Sequence, residues 1–185
     1  KTEISKILYN ETPKMPSSNF INQNNDIKSL ESEYLKKVPE VLVIDNFLNK
    51  EALAELQNFC LNANIFKNPY KNGYIGAFLS QGLSNEFILK LSEDLRLTYK
   101  NIFRDLKLIQ AWIFKYDNTK KGINVHADQA SVNVNFWITH NKANLNPASG
   151  GLEVWNKVPP EEWDFDTYNN DLNLPRLKQF LSENK

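Results

Sequence analysis

Apolar residues recur along this chain in two rhythms, one of about 3.6 residues and one of two, and the change near Leu108 separates a helical part from a strand-rich one. Leu53, Leu56, Phe59, Cys60 and Ala63 fall on one stripe at helical spacing, and Phe87, Ile88, Leu91, Leu95 and Tyr99 fall on another after Ser84. Asn49 stands where a side-chain oxygen can cap the first of these helices, with Leu48 and Leu53 placed as a hydrophobic staple. A third stripe of Leu174, Leu177 and Leu181 predicts a last helix capped by Asp171 or Asn173, with Pro175 tolerated in its first turn. The first two helices carry few titratable residues on their apolar faces, so both read as packing helices.

Strands are predicted at the apolar run Val41 to Ile44, at Tyr74 to Leu79, and at Leu108 to Tyr116. Further strands are predicted where Gly122 to Val125 leads into His126, at the alternating stretch Ser131 to Thr139, and at Leu152 to Trp155. Gly73, Gly76 and Gly82 blur the limits of the second strand. The succession predicts an α+β fold with a β-rich core. Residues 1–37 are polar and rich in Asn, Ser and Lys, which predicts an N-terminal arm or linker ahead of a domain over residues 38–185. The sequence shows no internal repeat.

Composition narrows the partners. The 41% hydrophobic content of 185 residues suffices for one core. The 22 basic and 22 acidic residues are interleaved with no block of one sign, which disfavours nucleic acid and anionic membrane as partners. No apolar window approaches a membrane span, and the first residues lack the basic-then-apolar pattern of a secretion signal. Cys60 is the only cysteine, which excludes an intrachain disulfide, suggests an inert buried thiol and fits a reducing cytoplasm.

Candidate chemistry lies in one stretch. In extended chain, residues two apart point to one side, so His126 and Asp128 can offer an imidazole nitrogen and a carboxylate oxygen to one divalent ion. With two histidines in the chain and aspartate at roughly 5% of residues, such a pair arises by chance in about one chain in ten. The neighbouring strand adds weight. It sets Val132, Val134, Phe136 and Ile138 on one face, and Asn133, Asn135, Trp137 and Thr139 on the other. Asparagine is a poor strand former, so two of them at this spacing fit either a ligand-binding, amide-lined wall or a solvent-facing edge. Tyr116 could offer its hydroxyl to an anionic ligand or sit in the core with that hydroxyl satisfied. Gly150-Gly151 fits a strand-connecting turn or a close backbone approach.

In order and spacing, Trp112 to Tyr116, Gly122 to Asp128 and Val132 to Thr139, followed by Ala143 to Pro147, Ser149 to Leu152, Trp163-Asp164-Phe165 and Tyr168-Asn169, resemble a known family. They are similar to the iron(II)- and 2-oxoglutarate-dependent oxygenases, in a prolyl-4-hydroxylase-like bacterial branch. The resemblance spans roughly Pro39 to Leu181. It implies a double-stranded β-helix, or jelly roll, with packing helices. It further implies Fe(II) held by His126 and Asp128, with 2-oxoglutarate as co-substrate near Tyr116, Asn133 and Asn135. The implied reaction couples oxidative decarboxylation of 2-oxoglutarate to hydroxylation of a C–H bond in a small-molecule or peptide substrate.

The family's distal histidine and the basic residue that anchors 2-oxoglutarate lie on later strands than this sequence contains, so the last strands of the barrel are expected to be missing. Two protein ligands in place of three should hold iron weakly. His140 follows the Ser131 to Thr139 strand, about 25–30 Å of extended chain from its start, at the wrong end of such a barrel. Arg176 and Lys178 read as solvated charges on the last helix. A jelly-roll module that has lost oxygenase activity and binds a partner is the alternative from another class.

Overall fold

The structure, a computed structural model, describes residues 12–71, 73–117, 124–146, 148 and 151–183. Gly122, Ile123, Pro147, Ser149 and Gly150, on which parts of the sequence reading fall, lie outside the described residues. The chain divides into two units, one of Lys1–Gly122 with Trp137–Thr139 and one of Ile123–Phe136 with His140–Lys185.

The first unit runs α1 (Ile27–Tyr34), α2 (Lys50–Asn62), β1 (Asn68–Tyr70), β2 (Tyr74–Phe78), α3 (Glu86–Thr98), the single turn α4 (Lys100–Phe103) and β3 (Trp112–Tyr116). Asn49 caps α2 as its position predicts, its Oδ1 accepting from the Ala52 amide at 2.7 Å. Asn85 caps α3 in the same way through the Ile88 amide at 3.1 Å. The buried faces follow the predicted stripes, with Leu56, Phe59 and Cys60 on α2 and Phe87, Ile88, Leu91 and Leu95 on α3. Tyr99 is buried just beyond α3. Burial pushes the Cys60 thiol up to about 11, with nearby Lys115 opposing the shift.

The segment ahead of Val38, read as an arm, contributes to this core. Phe20 and Ile21 are buried, and the Phe20 ring stands edge-on to Phe87 at 4.8 Å between centroids. Asp94 of α3 accepts from both of their amides, at 2.8 and 3.2 Å, and Ile21 forms a lone antiparallel bridge with Leu48. Two adjacent apolar residues have no period, so the amphipathic patterns that reveal helices and strands miss them. On α1, Glu31 is 4% exposed and accepts from the Asn101 amide at 2.7 Å and from Asn101 Nδ2 at 2.5 Å. That pairing is what a buried carboxylate requires.

β1, β2 and β3 form one antiparallel sheet in that order. Tyr70 pairs with Tyr74 and Tyr74 with Tyr116, while Gly76 pairs with Phe114 and Phe78 with Trp112. Side chains alternate across a strand, so Tyr70, Tyr74, Phe78, Trp112, Phe114 and Tyr116 share one face. Their rings touch there, from Tyr70 on Tyr74 at 4.6 Å to Phe78 near Trp112 at 6.3 Å. Gly76 makes room for them, since a Cβ at that position would lie 2.7 Å from the Phe114 ring.

Several predicted strands are corrected. Val41 to Ile44 joins no ladder, and Val43 is 85% exposed. Ser131 to Thr139 and Leu152 to Trp155 are likewise irregular, and β3 begins at Trp112, four residues later than predicted. Alternation states which way side chains would face; a strand exists only where another strand takes up its backbone N–H and C=O groups. The architecture is therefore α+β with one three-stranded antiparallel sheet among the described residues.

The second unit carries α5 (Phe165–Asn169) and α6 (Leu174–Glu183), the latter entered through a 3₁₀ turn over Asp171–Asn173. Asp164 caps α5 by accepting from the Thr167 amide at 2.8 Å. Leu177 and Leu181 are buried on α6 as predicted. The Trp163 ring contacts both Phe180, at 5.3 Å, and the Arg176 guanidinium, at 4.5 Å. Among the described residues no helix is long and apolar enough to cross a membrane.

Phe87→Ala is expected to lower the unfolding free energy by about 3–5 kcal/mol in urea titrations, because a fully buried ring leaves a cavity. Leu97→Ala, on the exposed side of the same helix, should change it by less than about 0.5 kcal/mol. Iodoacetamide at pH 8 should label Cys60 at least about a hundredfold more slowly in the native protein than in denaturant, since a raised pKa depletes the thiolate. Equal rates would contradict the burial of this thiol.

Candidate functional site

His126 and Asp128 lie in irregular chain between bends at Val125 and Gln129. They are nevertheless brought together, with His126 Nε2 3.6 Å from Asp128 Oδ1 and side chains 42% and 31% exposed. The other ring nitrogen, Nδ1, is 2.7 Å from the Asn124 carbonyl oxygen. A carbonyl oxygen only accepts, so Nδ1 carries the hydrogen and donates it. In the neutral imidazole this leaves Nε2 as an acceptor, with an Asp128 carboxylate oxygen 3.6 Å from it. Two acceptors this close repel each other unless a proton or a cation stands between them. The pair thus suits either an imidazolium–carboxylate contact or a divalent ion.

The spacing bears on the second choice. Bonds of about 2.1 Å from a first-row divalent ion place two ligand atoms about 3.0 Å apart at a right angle and about 3.4 Å apart at a tetrahedral one. The observed 3.6 Å exceeds these by a few tenths of an ångström, which a small rotation of either half-exposed side chain closes. A neutral imidazole whose far N–H is held by a carbonyl is also the usual form of a metal-binding histidine. The donor set therefore fits a borderline divalent ion such as Fe(II). Among the described residues no group of three His, Cys, Asp or Glu converges, so an ion held here would have two ligands from them.

The loop owes its shape to the second unit's helical end. Asn169, the last residue of α5, accepts from the Ala127 amide through Oδ1 at 2.8 Å and donates from Nδ2 to the Ala127 carbonyl at 3.0 Å. Asn124 Nδ2 donates to Asp171 Oδ1 at 3.3 Å, and the Ala130 amide closes a turn on the Asp128 carbonyl at 2.9 Å. Sequence reasoning placed Tyr168-Asn169 within the family-like string but gave Asn169 no role. The signal was its residue type, an asparagine ending a short helix, which does not by itself reveal a partner 42 positions away.

The remaining candidates sit as follows. Asn133 and Asn135 are exposed, in a stretch that forms no strand. Tyr116 ends β3 in the first unit and is 54% exposed, its ring 5.3 Å from that of Tyr74. Burial, and then the neighbouring Tyr74, raise its hydroxyl above the usual phenol range, so it is neutral at physiological pH and able to donate a hydrogen bond. His140 is exposed and opens a 3₁₀ turn over Asn141–Ala143. Arg176 is engaged on Trp163 and Lys178 is exposed, as expected of charges on a helix surface.

At pH 8, long-range ¹H–¹⁵N correlation is expected to find neutral His126 with its proton on Nδ1, the tautomer that an unconstrained histidine disfavours. A predominant Nε2–H signal would contradict the geometry described. No family model, curated protein or solved structure matches this chain.

Proposed function

We propose that the chain carries the iron-binding segment of an Fe(II)- and 2-oxoglutarate-dependent dioxygenase of jelly-roll fold, with His126 and Asp128 as two of the metal ligands. The observation that carries this reading is the orientation of His126. Its Nδ1–H is held by Asn124, and its Nε2 lies 3.6 Å from the Asp128 carboxylate. The ordered sequence similarity from Trp112 to Asn169 supports the same reading. Bound iron and 2-oxoglutarate would supply oxidative decarboxylation to succinate and carbon dioxide, coupled to hydroxylation of a C–H bond.

The chain's own residues do the positioning. His126 offers a neutral nitrogen, and Asp128 offers an anionic oxygen that offsets part of the metal's charge. Asn133 and Asn135 are assigned to the co-substrate as amide donors. The substrate is a small molecule or a peptide. With two ligands from this segment, iron binding to the segment alone is weak.

The second reading, a partner-binding module of the same fold without oxygenase activity, is favoured by a different observation. Leu145, Leu152, Val154 and Val158 of the second unit are all more than half exposed, apolar surface that a partner could cover.

The two readings separate on one assay. The protein with Fe(II), oxygen and 2-oxoglutarate should form succinate above a protein-free blank, without an added substrate. His126→Ala and Asp128→Ala should each cut that rate at least about tenfold, and a chelator should abolish it. Succinate formation that survives both substitutions would overturn the dioxygenase assignment at these residues, and its absence in the parent protein would favour the binding module.

A further inference from the structure

We propose that Asn169 is the positioning residue of the His126–Asp128 pair, its carboxamide standing in for the neighbouring strand that an extended metal-binding segment would otherwise have. The proposal rests on the reading of that pair as a metal site, and adds to it a residue outside the segment that sets its geometry.

Side chains two apart share a side only while the residue between them stays extended. In a sheet, the adjacent strand ensures this by bonding the backbone N–H and C=O. His126, Ala127 and Asp128 are in no ladder. Both main-chain groups of Ala127, the residue between the two ligands, are instead taken by one side chain. Asn169 Oδ1 receives the Ala127 N–H at 2.8 Å, and Asn169 Nδ2 donates to the Ala127 carbonyl at 3.0 Å. A primary amide carries one acceptor and a donor group in the plane of the peptide it imitates, so it can satisfy both at once.

The grip extends over a second point. Asp171, two residues on, accepts from Asn124 Nδ2 at 3.3 Å, and the Asn124 carbonyl is the group that holds His126 Nδ1 at 2.7 Å. The same helical end therefore fixes the peptide between the ligands and the residue that sets the imidazole's tautomer. That end is itself anchored. Asp164 caps the start of α5, Asn170 closes its end through the Asp166 carbonyl at 3.0 Å, and Asn173 Nδ2 donates to the Thr167 carbonyl at 3.0 Å. Ala127 is exposed, so this contact gains little from burial. Its consequence is orientation.

The test compares the full chain with Asn169→Ala and Asn169→Asp, the latter keeping the acceptor and the size but losing the donor. Far-UV circular dichroism and thermal melts establish that each variant is folded. Should Asn169→Ala fail to fold, the near-isosteric Asn169→Asp carries the comparison. In the first arm, Mn(II) is titrated and paramagnetic broadening of the His126 ring signals is followed, which reads weak binding directly. Asn169→Ala should need ten- to a hundredfold more Mn(II) for equal broadening, and Asn169→Asp an intermediate amount.

In the second arm, without metal, nuclear Overhauser contacts between the His126 ring and the Asp128 methylene, together with the single Nδ1–H tautomer, should be present in the parent and lost in Asn169→Ala. A change in general stability alone would move neither readout. Unchanged ring contacts and tautomer in the folded variants would overturn the positioning role. A parent protein whose His126 signals ignore Mn(II) would overturn the metal reading instead, and the second arm would still decide the role of Asn169.

Discussion

The two hydrogen bonds between the Asn169 carboxamide and the backbone of Ala127 are the constraint on which the candidate site depends. Backbone N–H and C=O groups that leave water need partners in the protein, and among the described residues the stretch that holds His126 and Asp128 has no strand beside it. An amide side chain supplies both partners, worth about 0.5–1.5 kcal/mol each in net stability. That is small against a domain's total stability. It is large enough to choose between the rotations of a short loop, and the choice decides whether the imidazole and the carboxylate face each other.

The same device recurs in the first unit. Asn49 and Asn85 cap α2 and α3 with their amide oxygens, and Asn101 pairs with the buried Glu31 through both its main chain and its side chain. Asp94 does the corresponding work with a carboxylate, collecting the Phe20 and Ile21 amides and drawing them against α3. Short polar side chains thus fix where the chain runs, and the stripes of Leu, Ile and Phe then fill the space between helices. The sheet follows a different logic. Its stabilisation comes from cross-strand rows of aromatic rings, with Gly76 as the gap that lets the Phe114 ring approach β2 closely.

Three helices were legible in the sequence from an apolar stripe at helical spacing, with a cap candidate at the first and the last, whereas the short α1, α4 and α5 were not. Asn49 with Leu56, Phe59 and Cys60 is one case, and Leu177 with Leu181 is another. Strands were legible only in part. Tyr74 to Phe78 and Trp112 to Tyr116 pair with each other, whereas Val41 to Ile44 and the alternating stretch from Ser131 do not, and no local pattern distinguishes the two cases. Pairing is a property of two segments, and its partner is not written in either one. For the site, extended chain was expected to put His126 and Asp128 on one side, and in the structure the two side chains come within 3.6 Å. The structure reaches the same result by a contact 42 residues away, which only the folded chain displays. Phe20 and Ile21 escaped for the same reason, since their partners Asp94, Leu48 and Phe87 are distant in sequence.

In the proposed site His126 and Asp128 are turned toward each other to share a divalent metal ion. Anomalous diffraction at the iron edge from crystals grown anaerobically with Fe(II) tests this most directly. The account predicts a peak about 2.0–2.2 Å from both His126 Nε2 and an Asp128 carboxylate oxygen, with Nδ1 still bonded to the Asn124 carbonyl. A peak bound elsewhere, or a His126–Asp128 contact unchanged at saturating iron with no peak between the two side chains, would contradict it.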